Sequence, residues 1–290
     1  NGTQALYMAL KILGCKKGDE VIIPSYVCAN LLNAVIKAEC TPVLCDVDNF
    51  WVMGTKQLKK VITSKTKAII AVNAMGIFCD IPELSKFNIP VIEDACQNFG
   101  GILKGKKAGN HGIVGVYSFH AIKCLTTGEG GMLVTNDNAL GEKLNQLKRD
   151  KCEYLPLNDL QSSLGLNQLA SYHSFLAQRQ LLAAKYFELL PERWTESFKK
   201  VSDRSMFFRF LIKPDKVQFS QISPLLEKNS IHIRKGIDAL IHRQMGIADT
   251  HFVNSVKHFE ETVSLPIYPS MSIEDIEYIC KKIMYYASKG

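Results

Sequence analysis

The stretch VIIPSYVCANLLNAVIKAECTPVLCDV, residues 21–47, decides the fold. Its two ends, VIIP (21–24) and PVLCDV (42–47), are short apolar runs of the kind buried on both faces of a sheet. Between them CANLLNAVIKA (28–38) has helical spacing and leads into Pro42. A strand, a helix and a second buried strand make a parallel pair joined by a right-handed crossover. Outward from this unit the pattern repeats. TQALYMALKIL (3–13) reads as a helix closed by Gly14, and KAIIAV (67–72) and PVIED (90–94) read as further buried strands. VGVYSF (114–119) and GGMLVTN (130–136) add two more. The expected fold class is α/β, a mostly parallel central sheet flanked by helices.

From Asp159 to about Leu190 the chain reads as helix throughout, with Leu160, Leu164, Leu169, Phe175 and Leu176 on one side. After Pro191 its character changes to FFRFLI (207–212), a polar helix near 218–228, IHIR (231–234) and a last helix near 272–288. The division expected is a large domain over 1–185 and a smaller C-terminal α+β domain over 186–290. The chain opens on NGTQAL, already at a helix start, which points to a further segment upstream.

Composition limits the function classes. With 290 residues, 47% of them hydrophobic, the chain can bury a sizeable core. The net charge of +7 is spread over scattered lysines. Clusters such as Lys104, Lys106 and Lys107 lack interleaved aromatics, which argues against a nucleic-acid partner. No apolar run reaches the roughly 18 residues of a membrane span. Nine dispersed cysteines without a CxxC pair fit reduced thiols in a cytoplasmic protein better than disulfides or a metal site.

In open α/β sheets ligands gather beyond the carboxyl ends of the strands, so chemistry is sought there. Gly2 and Thr3 begin a helix whose amides and dipole suit a phosphate, although Thr3 as a plain N-cap explains the same residues. Glu93 and Asp94 end a buried strand, with Gln97 three residues on. Such an acid requires a cationic or hydrogen-bonded partner; a helix cap is the other reading. Ser118 ends another strand, and Lys123 follows within SFHAIKCLTTGEGG (118–131). A partly desolvated lysine among polar groups can form a Schiff base, although a surface lysine is the ordinary reading. Phosphate holder, acid and lysine together are what pyridoxal 5′-phosphate requires. On this reading the glycines and hydroxyls around Lys123 make room for a cofactor.

The order and spacing of NGTQAL, GDEVIIPSY, TPVLCDVD, VIEDACQNFGG, VYSFHAIKCLTTGEGGMLVTND, DLQSSLGLNQL and LPIYPSMS run along nearly the whole chain. In them the sequence resembles the DegT–DnrJ–StrS family of sugar aminotransferases, of the aspartate-aminotransferase-like fold. The resemblance implies a homodimer that moves an amino group from glutamate to a nucleotide-linked keto-sugar. It makes Lys123 the Schiff-base lysine, with Asp94 paired to the pyridinium nitrogen and Gln97 against the ring and its phenolic oxygen. Gly2, Thr3 and Ser118 become the phosphate holders. Cys28 stands where the family usually stacks an aromatic residue on the ring, with Tyr26 near enough to substitute in part. Asn73 stands where histidine is common. The family's Gly-Tyr-Asn-Tyr-Arg element, which reaches the partner's site, reads CEYLP (152–156) here, placing Tyr154 for the asparagine and Pro156 for the arginine. The glycines at 128, 130 and 131 would let another chain approach closely. His232, Arg234, His242 and Arg243 are candidates to face a sugar diphosphate. Two other readings stand beside the transaminase. One is a sugar dehydratase, a class that typically replaces the lysine with histidine; the other is a non-catalytic cofactor-binding homologue with a regulatory or structural role.

Overall fold

The computed structural model describes residues 1–149, 156–215 and 218–289. The first half alternates as its periodicity requires. In order come α1 (Gly2–Ile12), β1 (Glu20–Pro24), α2 (Asn30–Lys37), β2 (Thr41–Cys45), α3 (Thr55–Leu58) and β3 (Thr66–Val72). They are followed by α4 (Ile81–Ser85), β4 (Val91–Asp94), a short hairpin of β5 (Ile102–Leu103) and β6 (Lys106–Lys107), β7 (Val114–Ser118) and β8 (Gly131–Val134). The main sheet has the order β2-β1-β3-β4-β7-β8, parallel except for β8, which pairs antiparallel with β7 at the edge. Val21, Ile22 and Ile23 of β1, and Ala68 to Ala71 of β3, are fully buried. That is the signature of strands covered on both faces.

The second half is helical and then mixed. It runs α5 (Asn138–Arg149), α6 (Asp159–Ala170), α7 (Tyr172–Leu189), α8 (Glu192–Lys199), β9 (Phe210–Ile212) and α9 (Phe219–Glu227). The chain then forms β10 (Arg234–Lys235), α10 (Ile241–Gln244), α11 (Val253–Glu261), β11 (Val263–Leu265) and α12 (Ile273–Ala287). The small sheet, β10-β11-β9, is antiparallel throughout. The expected single helix over 159–190 divides at Ser171. FFRFLI and IHIR contribute only their last residues to strands. Phe207 takes a positive φ of 55°, a left-handed conformation that ends the ladder on that side.

One apolar core is continuous from α1 through the main sheet to the small sheet and α12. A second, smaller cluster of Phe78, Ala95, Ala108, Tyr117, Phe119, Leu125 and Tyr172 lies beneath the 119–130 loop. Phe99 joins it edge-on, with ring centroids 5.2 Å from Tyr117, 5.7 Å from Phe119 and 5.2 Å from Tyr172. The loop that carries Lys123 therefore rests on packed aromatics. Among the described residues no helix is long and apolar enough to cross a membrane.

Candidate functional site

The acid pair at the end of β4 separates by strand alternation. Glu93 is fully buried and takes a structural role, accepting from Asn73 Nδ2 at 2.7 Å and from the His111 amide at 2.7 Å. Asn73, the departure from histidine, is thus the carboxylate's partner; its Oδ1 accepts the Cys79 amide at 2.9 Å. Asp94 faces the other way. Its Oδ1 accepts the Cys96 amide at 2.9 Å, and it makes no ion pair among the described residues. Burial pushes its carboxyl above the usual range. The Cys96 hydrogen bonds and the charge of Lys123 pull the other way without cancelling it.

Lys123 is half-buried, with Nζ 5.4 Å from the centroid of the Phe208 ring. Its charge acts on Asp94, Cys96 and Cys28 alike, so these groups share one site. The Cys28 thiol is open to solvent but hemmed by protein atoms; that confinement, then the Asp94 carboxylate, pushes its ionisation upward. Tyr26 does not substitute for the missing aromatic. It is fully buried, 5.8 Å edge-on from His258, and a Cβ on Gly236 would meet its hydroxyl at 2.1 Å.

The start of α1 closes the constellation. Asn1 caps the helix, its side chain taking the Gln4 amide at 3.0 Å and its carbonyl the Ala5 amide at 3.0 Å. The first two helical amides, Gly2 and Thr3, have no intrahelical acceptor and face outward along the helix dipole. A Cβ on Gly2 would press on Ser118 Cβ at 3.0 Å and Cys96 Sγ at 3.2 Å. Gly2, Cys96 and Ser118 are therefore packed together, from α1, the loop after β4 and the end of β7. Gln97 accepts the Met75 amide on its Oε1 at 2.8 Å, which fixes the side chain with its NH2 group still to be satisfied.

The residues around Lys123 serve a purpose the sequence reading missed. Thr126 Oγ1 donates to the Phe119 carbonyl at 3.2 Å and accepts the Gly128 amide at 2.9 Å, while Thr127 Oγ1 donates to the Glu129 carbonyl at 2.7 Å. The hydroxyls thus stitch the lysine loop to itself. Gly131 lacks a Cβ because its own chain needs the space: one would meet the Asn1 carbonyl carbon at 2.4 Å. Gly131 thereby brings β8 against α1, whereas a Cβ on Gly128 would meet nothing within 4 Å. Two further site neighbours were not singled out: Phe208, which sits in no motif, and Cys96, which lies between Asp94 and Gln97 in VIEDACQ.

Of the four small-domain candidates, two leave the site. His242 is fully buried, with Nδ1 2.6 Å from Ser25 Oγ and Nε2 3.0 Å from Asp249 Oδ1. Its ring stacks on Phe252 at 4.3 Å. This resembles a serine–histidine–aspartate relay, but Ser25 is as buried as His242, so no substrate reaches it. Arg243 pairs with Asp249 at 2.8 Å and Glu260 at 3.4 Å. His232 and Arg234, by contrast, line a cleft of about 620 Å³ whose wall includes Phe208 and Ile122, the chain neighbour of Lys123. Pro156 is exposed, and Tyr154 lies outside the described residues.

The profile of the DegT/DnrJ/EryC1/StrS aminotransferase family matches residues 1–284. The chain belongs to this family. It is a pyridoxal-phosphate-dependent aminotransferase, as the family's members are. GDP-perosamine synthase of Escherichia coli O157:H7 is 31% identical, aligned over 100% of this chain and 85% of that protein. Spore coat polysaccharide biosynthesis protein SpsC of Bacillus subtilis is 28% identical, over 97% and 82%. A DegT DnrJ EryC1 StrS aminotransferase from Brucella abortus superposes with a TM-score of 0.86 at 25% identity, over 99% of this chain and 84% of that one.

The site fits the cofactor. Two helix-start amides without a partner among the described residues, beside a serine, suit its phosphate; a buried carboxyl with no ion pair among them suits its ring nitrogen, and a supported lysine suits its aldehyde.

Proposed function

We propose that this aminotransferase moves the amino group of glutamate to the keto carbon of a nucleotide-linked sugar. The observation that carries the reading is the convergence of Lys123, Asp94 and the open start of α1 at the carboxyl ends of β1, β4 and β7. The name of the Escherichia coli relative supports a nucleotide sugar as the acceptor. When bound, pyridoxal phosphate supplies an aldehyde that primary amines capture and a ring that draws off electrons from the adjacent carbon.

The chain's residues do the rest. The Lys123 amine would hold the cofactor at rest and, once released, would serve as the base and acid that moves the proton. Asp94 would hold a proton on the ring nitrogen, and a cationic ring would compensate its buried charge. The amides of Gly2 and Thr3 and the Ser118 hydroxyl hold the phosphate. The Gln97 NH2 group would be free to bond the ring's phenolic oxygen, and Cys28 would cover the ring with less surface than an aromatic. We place the domain boundary at 185/186, within α7, and the protein in the cytoplasm, where the free cysteines would stay reduced.

In the test, glutamate alone added to the cofactor-loaded protein converts the visible band to the amine form and releases one equivalent of 2-oxoglutarate. A nucleotide-linked keto-sugar then restores the band. If glutamate leaves the spectrum unchanged, the donor is wrong; if no nucleotide-linked keto-sugar restores it, the acceptor is.

A homodimer is part of the same proposal, supported by α6. No residue of that helix is buried, yet it carries Leu160 at 84% exposure and Leu166 at 69%, with Leu164 and Leu169 also exposed. A helix with apolar residues on several faces belongs inside a larger interface. An obligate interface usually buries more than about 2,000 Å². Sedimentation at micromolar protein should therefore show a dimer, and Leu160→Glu with Leu166→Glu should split it. Parent protein that sediments as a monomer would exclude this arrangement.

A further inference from the structure

The loop between β7 and β8 carries Lys123 on its outer turn, and its two limbs are fastened to each other. The Phe119 amide donates to the Gly130 carbonyl at 2.9 Å, and the Thr127 amide to the Phe119 carbonyl at 2.9 Å. Within that frame every polar group of His120 is bonded. Its carbonyl accepts the Lys123 amide at 2.8 Å, closing the turn of residues 120–123. Its ring Nδ1 accepts the Ile122 amide at 3.3 Å. A backbone N–H can only donate, so Nδ1 is unprotonated and the ring proton sits on Nε2. That nitrogen lies 3.2 Å from Glu129 Oε1 on the other limb. Glu129 is fixed in turn, since its carbonyl accepts Thr127 Oγ1 at 2.7 Å and Gln161 Nε2, from α6, at 3.0 Å. The His120 amide donates to Ser118 Oγ at 3.4 Å, and an oxygen that accepts there keeps its own hydrogen for an anion.

We propose that His120 is a positioning residue for Lys123: its ring, by holding the Ile122 amide, sets the turn that aims the lysine into the site. This rests on the reading of Lys123 as the amine that holds the cofactor. The motif is the one in which an asparagine or aspartate side chain accepts the amide two residues on, with imidazole in the carbonyl's place. The turn needs such a bond. Phe119 and Leu125 are buried and anchor its ends, but Ala121 and Ile122 between them are exposed, so packing does not fix the lysine's own turn. Placement matters because the side chain is long. A lysine stem reaches roughly 6 Å from Cα to Nζ, so a turn rotated by about 20° displaces the amine by about 2 Å. A displacement of that size takes a nucleophile out of reach of a fixed aldehyde. Of the ring's two bonds, the one to Ile122 carries the effect. The Glu129 partnership is open to solvent, with the two side chains 43% and 56% exposed, and a pair so placed contributes little.

Titration of the cofactor-free protein with pyridoxal 5′-phosphate, read by the visible band of its bond to a protein amine, tests the role. Pyridoxamine 5′-phosphate, with the same ring and phosphate but no aldehyde, is titrated beside it by protein fluorescence and also reports that each variant is folded. His120→Ala should weaken pyridoxal phosphate roughly 3- to 10-fold, the loss of one ordering hydrogen bond, and leave pyridoxamine phosphate within about twofold. The second result follows because the contact with Ser118 runs through the backbone amide, which the substitution keeps. His120→Asn, whose Oδ1 takes the place of Nδ1, should restore the parent's affinity; His120→Gln, which reaches toward Glu129 instead, should not. Glu129→Gln should change neither ligand by more than about twofold. Pyridoxal phosphate affinity unaltered in His120→Ala overturns the positioning role, and so does an equal loss for both ligands, which would mean damage to the pocket as a whole. Lys123→Ala is run in parallel. A band that survives in it overturns the lysine reading itself, whereas a band lost there but unweakened in His120→Ala overturns the positioning alone.

Discussion

Lys123→Ala is expected to lower turnover with glutamate by at least about 10⁴-fold, as removal of the essential nucleophile does in other enzymes. The mutant should also lose the long-wavelength band that pyridoxal phosphate acquires on joining a protein amine. Only a primary amine at this position can make that bond, so Lys123→Arg, which keeps the charge, should fail equally. The fold should survive both changes. The loop is held by the hydroxyls of Thr126 and Thr127 and by the aromatics under Phe119, not by the lysine's own side chain. What is lost is the contact of Nζ with the Phe208 ring, worth about 0.5–1 kcal/mol where solvent reaches it. A thermal midpoint within a few degrees of the parent, with no band and no turnover, is the expected combination. Full turnover in Lys123→Ala would remove the mechanism entirely.

How far the sequence could be read depended on whether a residue's role is local. Strands such as Val21–Ile23 announce themselves because burial on both faces demands unbroken apolar runs. The break at Ser171 does not, since α6 and α7 are apolar on several sides and show no period to interrupt. At the site, the strand-end positions of Asp94 and Ser118 follow from the α/β pattern, and the structure brings both to Gly2 and Cys96. The division of labour between Glu93 and Asp94 was hidden. It depends on which face of β4 meets Asn73 and the His111 amide, twenty and eighteen residues away. His242 and Arg243 look from the sequence like the rest of the basic set near Arg234. Ser25 becomes visible as a partner only when the small domain is folded against the loop after β1, and Asp249 only when the chain turns back after α10. Arg209, inside an apolar run, gave no signal at all; its contact with Ser264, 55 residues away, exists only in the folded small sheet.

Asp94→Asn should move stability and activity in opposite directions. In the unliganded protein, burial raises the Asp94 carboxyl above its unfolded value, so the folded state favours the protonated form. The stability it contributes is then present below the unfolded pKa and is lost as pH rises through the folded one. Above the unfolded pKa the carboxyl is therefore a net cost to the fold. Asparagine removes that cost and keeps an Oδ1 to accept the Cys96 amide, so the cofactor-free variant should melt no lower than the parent. The advantage should shrink as the pH falls and the parent's carboxyl takes up its proton. Activity should fall by at least about two orders of magnitude, the usual size of losing one preorganised electrostatic contact. A neutral amide cannot hold the proton on the ring nitrogen, and without that charge the ring draws electrons weakly from the carbon that Lys123 must deprotonate. Thermal melts of both cofactor-free proteins across pH, and turnover of the loaded proteins with glutamate, separate the two effects. Turnover within a few-fold of the parent would reduce Asp94 to the residue that orders the loop after β4.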